Sequence, residues 1–282
     1  TRAQMDVVVN FATDITKALA PEAGADRKAL SGAFDAALTR LEADASLSRA
    51  DRLGALIGRV QLARIDVPKD ERHPKLPAAL VQRVRDHVAR DDKEITDGYE
   101  RQAVVTSGAW ALGEVGQWAE SDALLKANLA KSHSPYYLMS QLAGNARKLG
   151  KKDEALRWYE ESYAKSEGPA TRLQWVSGYF SALVELAPQD EPRIERVARQ
   201  LFAEAAKDPA AFHERSARSL QRVGSKLAEW NKGGQHEATL RRLTDGANGQ
   251  PGLGAVCSKL EAAEAQQRAT CEGIVKALGK KA

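Results

Sequence analysis

Residues 115–135 read VGQWAESDALLKANLAKSHSP, and residues 149–169 read LGKKDEALRWYEESYAKSEGP. The two stretches begin 34 positions apart and agree at both ends. Val115-Gly116 matches Leu149-Gly150, Ala130-Lys131-Ser132 matches Ala164-Lys165-Ser166, and Pro135 matches Pro169. A period of about 34 residues in a helical setting marks a helix–turn–helix repeat. One such hairpin cannot bury its apolar face alone, so neighbouring copies must stack.

Working outward, the first copy has Val105, Ala109, Leu112 and Val115 before the turn, then Trp118, Leu124, Leu125 and Leu129. The second has Met139, Leu142, Ala143, Ala146 and Leu149, then Ala155, Leu156, Tyr159 and Tyr163. This is the pattern of tetratricopeptide repeats, whose concave face usually holds another chain. Ser134-Pro135 and Gly168-Pro169 each read as an N-cap followed by proline at the first helical position. A third unit starts at Pro169 with Leu173, Val176, Phe180 and Leu183, and continues from about Pro192 with Ile194, Val197, Leu201 and Phe202. The next proline in this role is Pro209 after Asp208, so an insertion around 187–190 stretches this repeat.

The flanks are helical as well. Val7, Val8, Val9, Phe11, Ile15 and Leu19 predict a first helix that stops at 20–24. Leu30, Phe34, Leu38 and Leu41 form one face of a second. Ser48 and Asp51 have capping-box spacing for a third. The polar, proline-bounded segment 67–74 is an expected loop and proteolytic site, with another helix from about Pro77 to Arg90. In the tail, helices are expected near 212–230 and 235–243, then a flexible loop over 245–252 and a final helical pattern over 253–278 that holds both cysteines. The expected fold is all-α: a tetratricopeptide-like αα-hairpin solenoid with flanking capping helices. Its divisions are an N-terminal helical region (1–96), the repeats (97–210) and a C-terminal cap (211–282).

Composition narrows the function. The chain is 43% hydrophobic and 28% charged, which suits a globular core. Its net charge of +4 comes from 42 basic and 38 acidic residues that alternate along the helices, unlike the clustered basic face that nucleic acid requires. No run approaches the ~18 apolar residues of a membrane span, so no membrane insertion is expected. The chain starts at Thr1 rather than Met, which reads as processing or excision from a longer protein.

The runs His133-Ser134-Pro135-Tyr136-Tyr137, 168–175 (GPATRLQW) and Trp230-Asn231-Lys232-Gly233-Gly234, with two C-terminal cysteines, carry a resemblance. They resemble the helical C-terminal region of certain bacterial thioredoxin-family proteins, over most of residues 30–280. Those proteins are exported to the periplasm and carry a thioredoxin-like domain ahead of the helices. The resemblance implies a periplasmic, non-catalytic accessory to thiol–disulfide chemistry that binds a protein or peptide client. The family's redox motif lies in a domain outside this chain, so no catalytic residue carries over and no cofactor is implied.

Cys257 and Cys271 are the only cysteines. On one straight helix they would lie about 21 Å apart, whereas a bridge needs Cα atoms within about 7 Å. A bridge therefore requires a hairpin, expected near Ala263–Gln267. Three readings stand: a structural staple, two buried thiols, or a redox pair whose spacing differs from Cys-x-x-Cys. A partner-binding groove is expected along the first helices of the repeats at Trp110, Glu114, Tyr137, Arg147, Lys148 and Gln174, with the alternative that Trp110 and Tyr137 pack between helices. Of the adjacent pair Trp158 and Tyr159, Tyr159 is expected to face the core. Arg172 and Trp175 have the spacing of a cation–π pair. The five histidines are scattered, so no metal site is expected. The rival reading is an α/α-scaffold lyase or hydrolase with an acid-lined cleft, prompted by Glu160/Glu161 and Asp91/Asp92. Adjacent carboxylates on a helix splay apart, which weighs against it.

Overall fold

The computed structural model describes residues 2–247, 249–260 and 265–278. The chain is all-α, with fourteen α-helices and one two-residue strand pair among the described residues. It divides into two compact units, Thr1–Gly150 and Lys151–Ala282. The boundary falls inside the segment 97–210 expected to form one repeat array.

The first unit holds α1 (Arg2–Leu19), α2 (Ala25–Ala43), α3 (Arg49–Ala63), α4 (Ala78–Glu94), α5 (Gly98–Glu114), α6 (Trp118–Asn128) and α7 (Pro135–Lys148). Helix α3 is apolar on two sides, so it can be buried on both. Ala55 and Leu62 pack with Ala12 of α1 and Leu38 of α2. Leu56 and Val60 pack with Val84 and Val88 of α4 and Leu112 of α5. Its start is set by Ser48, whose hydroxyl accepts from the Asp51 amide and donates to the Asp51 carboxylate. Asp97 caps α5 by accepting from the Tyr99 and Glu100 amides. On α1, Ala12 is buried whereas Val7, Phe11 and Leu19 are exposed.

The turns of the two copies use the same device. Gly116 after α5 and Gly150 after α7 both have positive φ, at +84° and +75°. A side chain with Cβ rarely adopts that conformation, so glycine closes each helix. Pro135 stands in the first turn of α7 and Pro169 in the first turn of the helix Pro169–Leu186, although the Ser134 hydroxyl makes no cap and Gly168 has no side chain to cap with. Gly113 permits a close approach: a Cβ there would stand 2.7 Å from the Trp118 ring. A buried polar ladder fixes the three-helix register. The Ser121 hydroxyl donates to the Ala109 carbonyl (2.7 Å), and the Asn145 amide donates to Ser121 Oγ and Asp122 (both 2.9 Å).

The segment 67–74 is a mostly exposed loop, as expected, and side chains from elsewhere in the unit hold it. Trp118 Nε1 donates to the Arg72 carbonyl at 2.6 Å. Arg64 spans the Glu114 carbonyl (2.6 Å) and the Glu71 carbonyl (3.0 Å).

The second unit holds α8 (Lys152–Lys165), α9 (Pro169–Leu186), α10 (Glu191–Ala205), α11 (Glu214–Trp230), α12 (Glu237–Asp245), α13 (Leu253–Ser258) and α14 (Ala265–Leu278). Its core joins Val176, Phe180 and Leu183 of α9 to Ile194 and Leu201 of α10, Val223 and Leu227 of α11, and Ile274 of α14. Tyr179, Phe180 and Phe212 are the largest side chains fully buried there, each worth about 1.5–3 kcal/mol of apolar transfer. Pro209 opens a 3₁₀ turn, Pro209–Phe212, rather than the helix expected after Asp208. The Asp208 side chain accepts from the Ala210 amide, so the cap serves the turn, and α11 starts later. The segment expected to be a loop at 245–252 includes an antiparallel pair, β1 (Gly246–Ala247) with β2 (Gln250–Pro251).

The apolar pattern over 253–278 divides into two helices, α13 and α14. Cys257 on α13 and Cys271 on α14 stand with Cα atoms 5.5 Å apart and sulfurs 2.01 Å apart. The turn was expected near Ala263–Gln267. Residues 263 and 264 lie outside the described residues, and 265–267 already belong to α14.

Candidate functional site

The expected groove residues separate. In the first unit, α5 carries Trp110 and Glu114, and α7 carries Tyr137, Arg147 and Lys148. Glu114 and Lys148 come together: Lys148 Nζ stands 3.1 Å from the Glu114 carboxylate and 5.2 Å from the centre of the Trp118 ring. Arg64 holds the other Glu114 oxygen at 3.2 Å. These charges are therefore engaged within the fold. Trp110 is half-buried, Arg147 is exposed, and Tyr137 is 43% exposed with its ring 4.9 Å from that of Tyr136. Gln174 belongs to the second unit.

Gln174 lines a cleft of about 430 Å³ between α9 and α11. One wall is a stripe of α9: Thr171, Gln174, Gly178 and Ser181. The other is a stripe of α11: Arg215, Ser216, Ser219 and Arg222. Successive residues three or four apart share a helix face, so each stripe presents its polar groups to the same space. Ser216 also borders a smaller hollow with Pro169, Ala170 and Leu173, which sets the first turns of α9 and α11 side by side. Their unpaired amide ends add partial positive charge at that end of the cleft. None of the residues lining the cleft is acidic or aromatic.

The arginines of this cleft differ from most in the chain. Arg49, Arg59, Arg64, Arg85, Arg172, Arg193, Arg199 and Arg242 all stand within ion-pair distance of carboxylates. Arg215 and Arg222 are exposed, and among the described residues neither has a carboxylate partner. Arg222 donates to the Ser219 hydroxyl at 3.0 Å, which orients its guanidinium along the stripe.

A second groove, of about 580 Å³, runs beside α10 and is bordered by Phe202, Leu243, Pro251 and Val256. Its one carboxylate, Glu195, is held by Arg242 at 2.6 Å and Arg199 at 2.8 Å. One member of each acidic pair that prompted the enzyme reading is engaged too. Glu160 pairs with Arg193 at 2.9 Å, and Arg101 holds Asp92.

The strongest electrostatic perturbation lies in the first unit and escaped the sequence reading. Glu42 of α2 is buried against Arg59 of α3 (2.8 Å), Arg83 of α4, and His87 of α4, whose Nδ1 lies 3.9 Å away. Burial alone would raise the Glu42 pKa. His87, Arg83 and Arg59 reverse that and hold it at about 2, against an ordinary 4.5. Burial would lower the His87 pKa, but Asp91, at 3.3 Å from Nε2, and Glu42 raise it above the ordinary 6.5. Asp91 is itself buried, and neither of its oxygens makes an aligned hydrogen bond. The one clue in sequence was the spacing of Arg83, His87 and Asp91, which puts all three on one face of α4.

In the second unit, Arg172 lies over the Tyr163 ring at 4.6 Å and pairs with Glu204 at 2.9 Å. Glu204 is buried and attracts two cations, Arg172 and Lys207. Tyr159 packs against the core as expected, and Arg157 lies 5.7 Å over the Trp158 ring. Tyr179, pushed up to about 12 by burial, accepts from Arg193 at 2.7 Å and remains protonated.

Among the described residues, no group of three or more His, Cys, Asp or Glu is placed to hold a metal ion, and no helix is long and apolar enough to cross a membrane. Comparison with protein-family models and with curated proteins gives no match to this chain.

Proposed function

We propose that the chain is a protein-interaction scaffold built on tetratricopeptide-like hairpins, with no catalytic role of its own. The observation that carries this reading is the open cleft of about 430 Å³ between α9 and α11, lined by Gln174 and other polar side chains. The repeat assignment is supported by the positive-φ turn glycines Gly116 and Gly150 and by Pro135 and Pro169 at equivalent helix starts. The scaffold acts in the bacterial periplasm, beside or fused to a thioredoxin-like module. There a bound client gains effective concentration at the redox centre. The juxtaposition of Cys257 and Cys271 supports an oxidising compartment, where such a pair forms a bridge.

Photocrosslinking in the native host tests the interaction reading. A crosslinker replacing Gln174 should give discrete protein adducts that one replacing the exposed Lys152 of α8 does not. Equal labelling at both sites, or none at Gln174, would overturn it. A thiol count on protein isolated without reductant tests the compartment; two free thiols would remove that part of the proposal.

A further inference from the structure

We infer that the cleft between α9 and α11 binds an acidic peptide segment in extended, polyproline-like conformation, with carboxylates three residues apart on Arg215 and Arg222. The inference rests on the interaction reading and names the partner class for that cleft. Three observations carry it.

The first is charge. In a fold where most arginines meet a carboxylate, two that line a cleft without one leave a site for an anion from outside. The second is spacing. Seven residues along α11 separate Arg215 from Arg222, an axial distance of about 10.5 Å. A single phosphate or carboxylate would need both side chains to fold toward one point, whereas two anions spaced along the cleft meet each arginine separately. A polyproline-type chain rises about 3.1 Å per residue with three residues per turn, so side chains three apart lie on one face about 9 Å apart. Flexible arginine side chains absorb the difference. A β-strand of similar rise would turn residues three apart to opposite faces.

The third is the lining. A polyproline-type segment makes no internal hydrogen bonds, so each of its amides and carbonyls seeks a partner. Thr171, Gln174 and Ser181 on one wall, and Ser216 on the other, supply hydroxyl and amide groups along the cleft. The absence of an aromatic among the lining residues argues against the sugars and nucleobases that stack on such rings.

The test uses the full chain and a fluorescein-labelled, proline-rich decapeptide with two glutamates three residues apart, followed by anisotropy. Saturable binding is expected, weakened roughly tenfold by Arg215→Gln with Arg222→Gln, as two partly exposed charge-assisted contacts require. Arg→Lys at both positions should restore part of it, and binding should fall as salt rises. Binding equal to that of a glutamine-substituted peptide, indifference to the double variant, or stronger competition by a uronate oligosaccharide would each overturn the inference. Crosslinked adducts at Gln174 without acidic-peptide binding would leave the scaffold standing and remove only the partner class. Loss of both would remove both.

Discussion

Replacing Glu42 by glutamine tests the buried ion cluster directly, because the substitution keeps the shape and removes one charge. The Glu42 pKa falls from an ordinary 4.5 to about 2 in the fold. At 1.36 kcal/mol per pH unit, that difference is about 3 kcal/mol of stability carried by the ionised form at neutral pH. The shift already includes the attraction of Arg59 and Arg83 for the ionised form, so a neutral glutamine should cost about this amount. The sign follows from linkage: a depressed carboxyl pKa contributes fully above 4.5 and is lost as pH falls toward 2. Native-state hydrogen exchange of the α2, α3 and α4 amides reads this locally. Glu42→Gln should lower their opening free energy by about 3 kcal/mol at pH 6, and the gap to wild type should narrow steadily between pH 4.5 and 2. A loss under about 1 kcal/mol at pH 6, or a gap that does not change with pH, would refute the reasoning.

His87 shows the opposite sign. Its raised pKa contributes below 6.5 and is lost as pH rises through the folded value, so His87→Gln should cost stability at pH 6 and progressively less toward pH 9 in urea titrations. Gly113→Ala places a methyl 2.7 Å from the hydrogen-bonded Trp118 ring, so a urea midpoint should report a loss of about 1–2 kcal/mol despite alanine's better helix propensity. Trp118→Phe removes the donor that holds the Arg72 carbonyl; trypsin should then cut after Lys69 or Arg72 several times faster than in wild type, and an unchanged rate would count against the tether. If Cys257 and Cys271 are bridged, Cys257→Ser with Cys271→Ser should cost about 3 kcal/mol on the loop-entropy estimate, and added reductant should lower the wild-type melting temperature but not the variant's.

The helices were legible because their signals are local. Ser48 and Asp51 announce the start of α3, Gly116 and Gly150 end α5 and α7, and apolar spacing marks the buried faces of α2 and α9. Signals that depend on distant partners were not legible. Nothing near Arg172 in sequence announces its pairing with Glu204 on α10. Pro209 looks like Pro135 and Pro169, yet its turn stays 3₁₀. The break between α13 and α14 has neither Gly nor Pro between the cysteines to mark it. Of the six groove residues, only Gln174 lines a cleft described here, because the polar stripe of α11 is readable in sequence but its pairing with α9 is not.

The two turn glycines, alike in φ, differ in their surroundings. A methyl placed on Gly116 would meet the backbone of Arg72 and His73 within 3.5 Å, whereas one placed on Gly150 would meet nothing within 4 Å. The turn after α5 is thus roofed over by an earlier loop, and the turn after α7 is open. For anyone grafting an epitope, a fluorophore or a second domain into this chain, the two sites are not equivalent. The Gly150 tip offers room for a graft, while the Gly116 tip must first shed its roof.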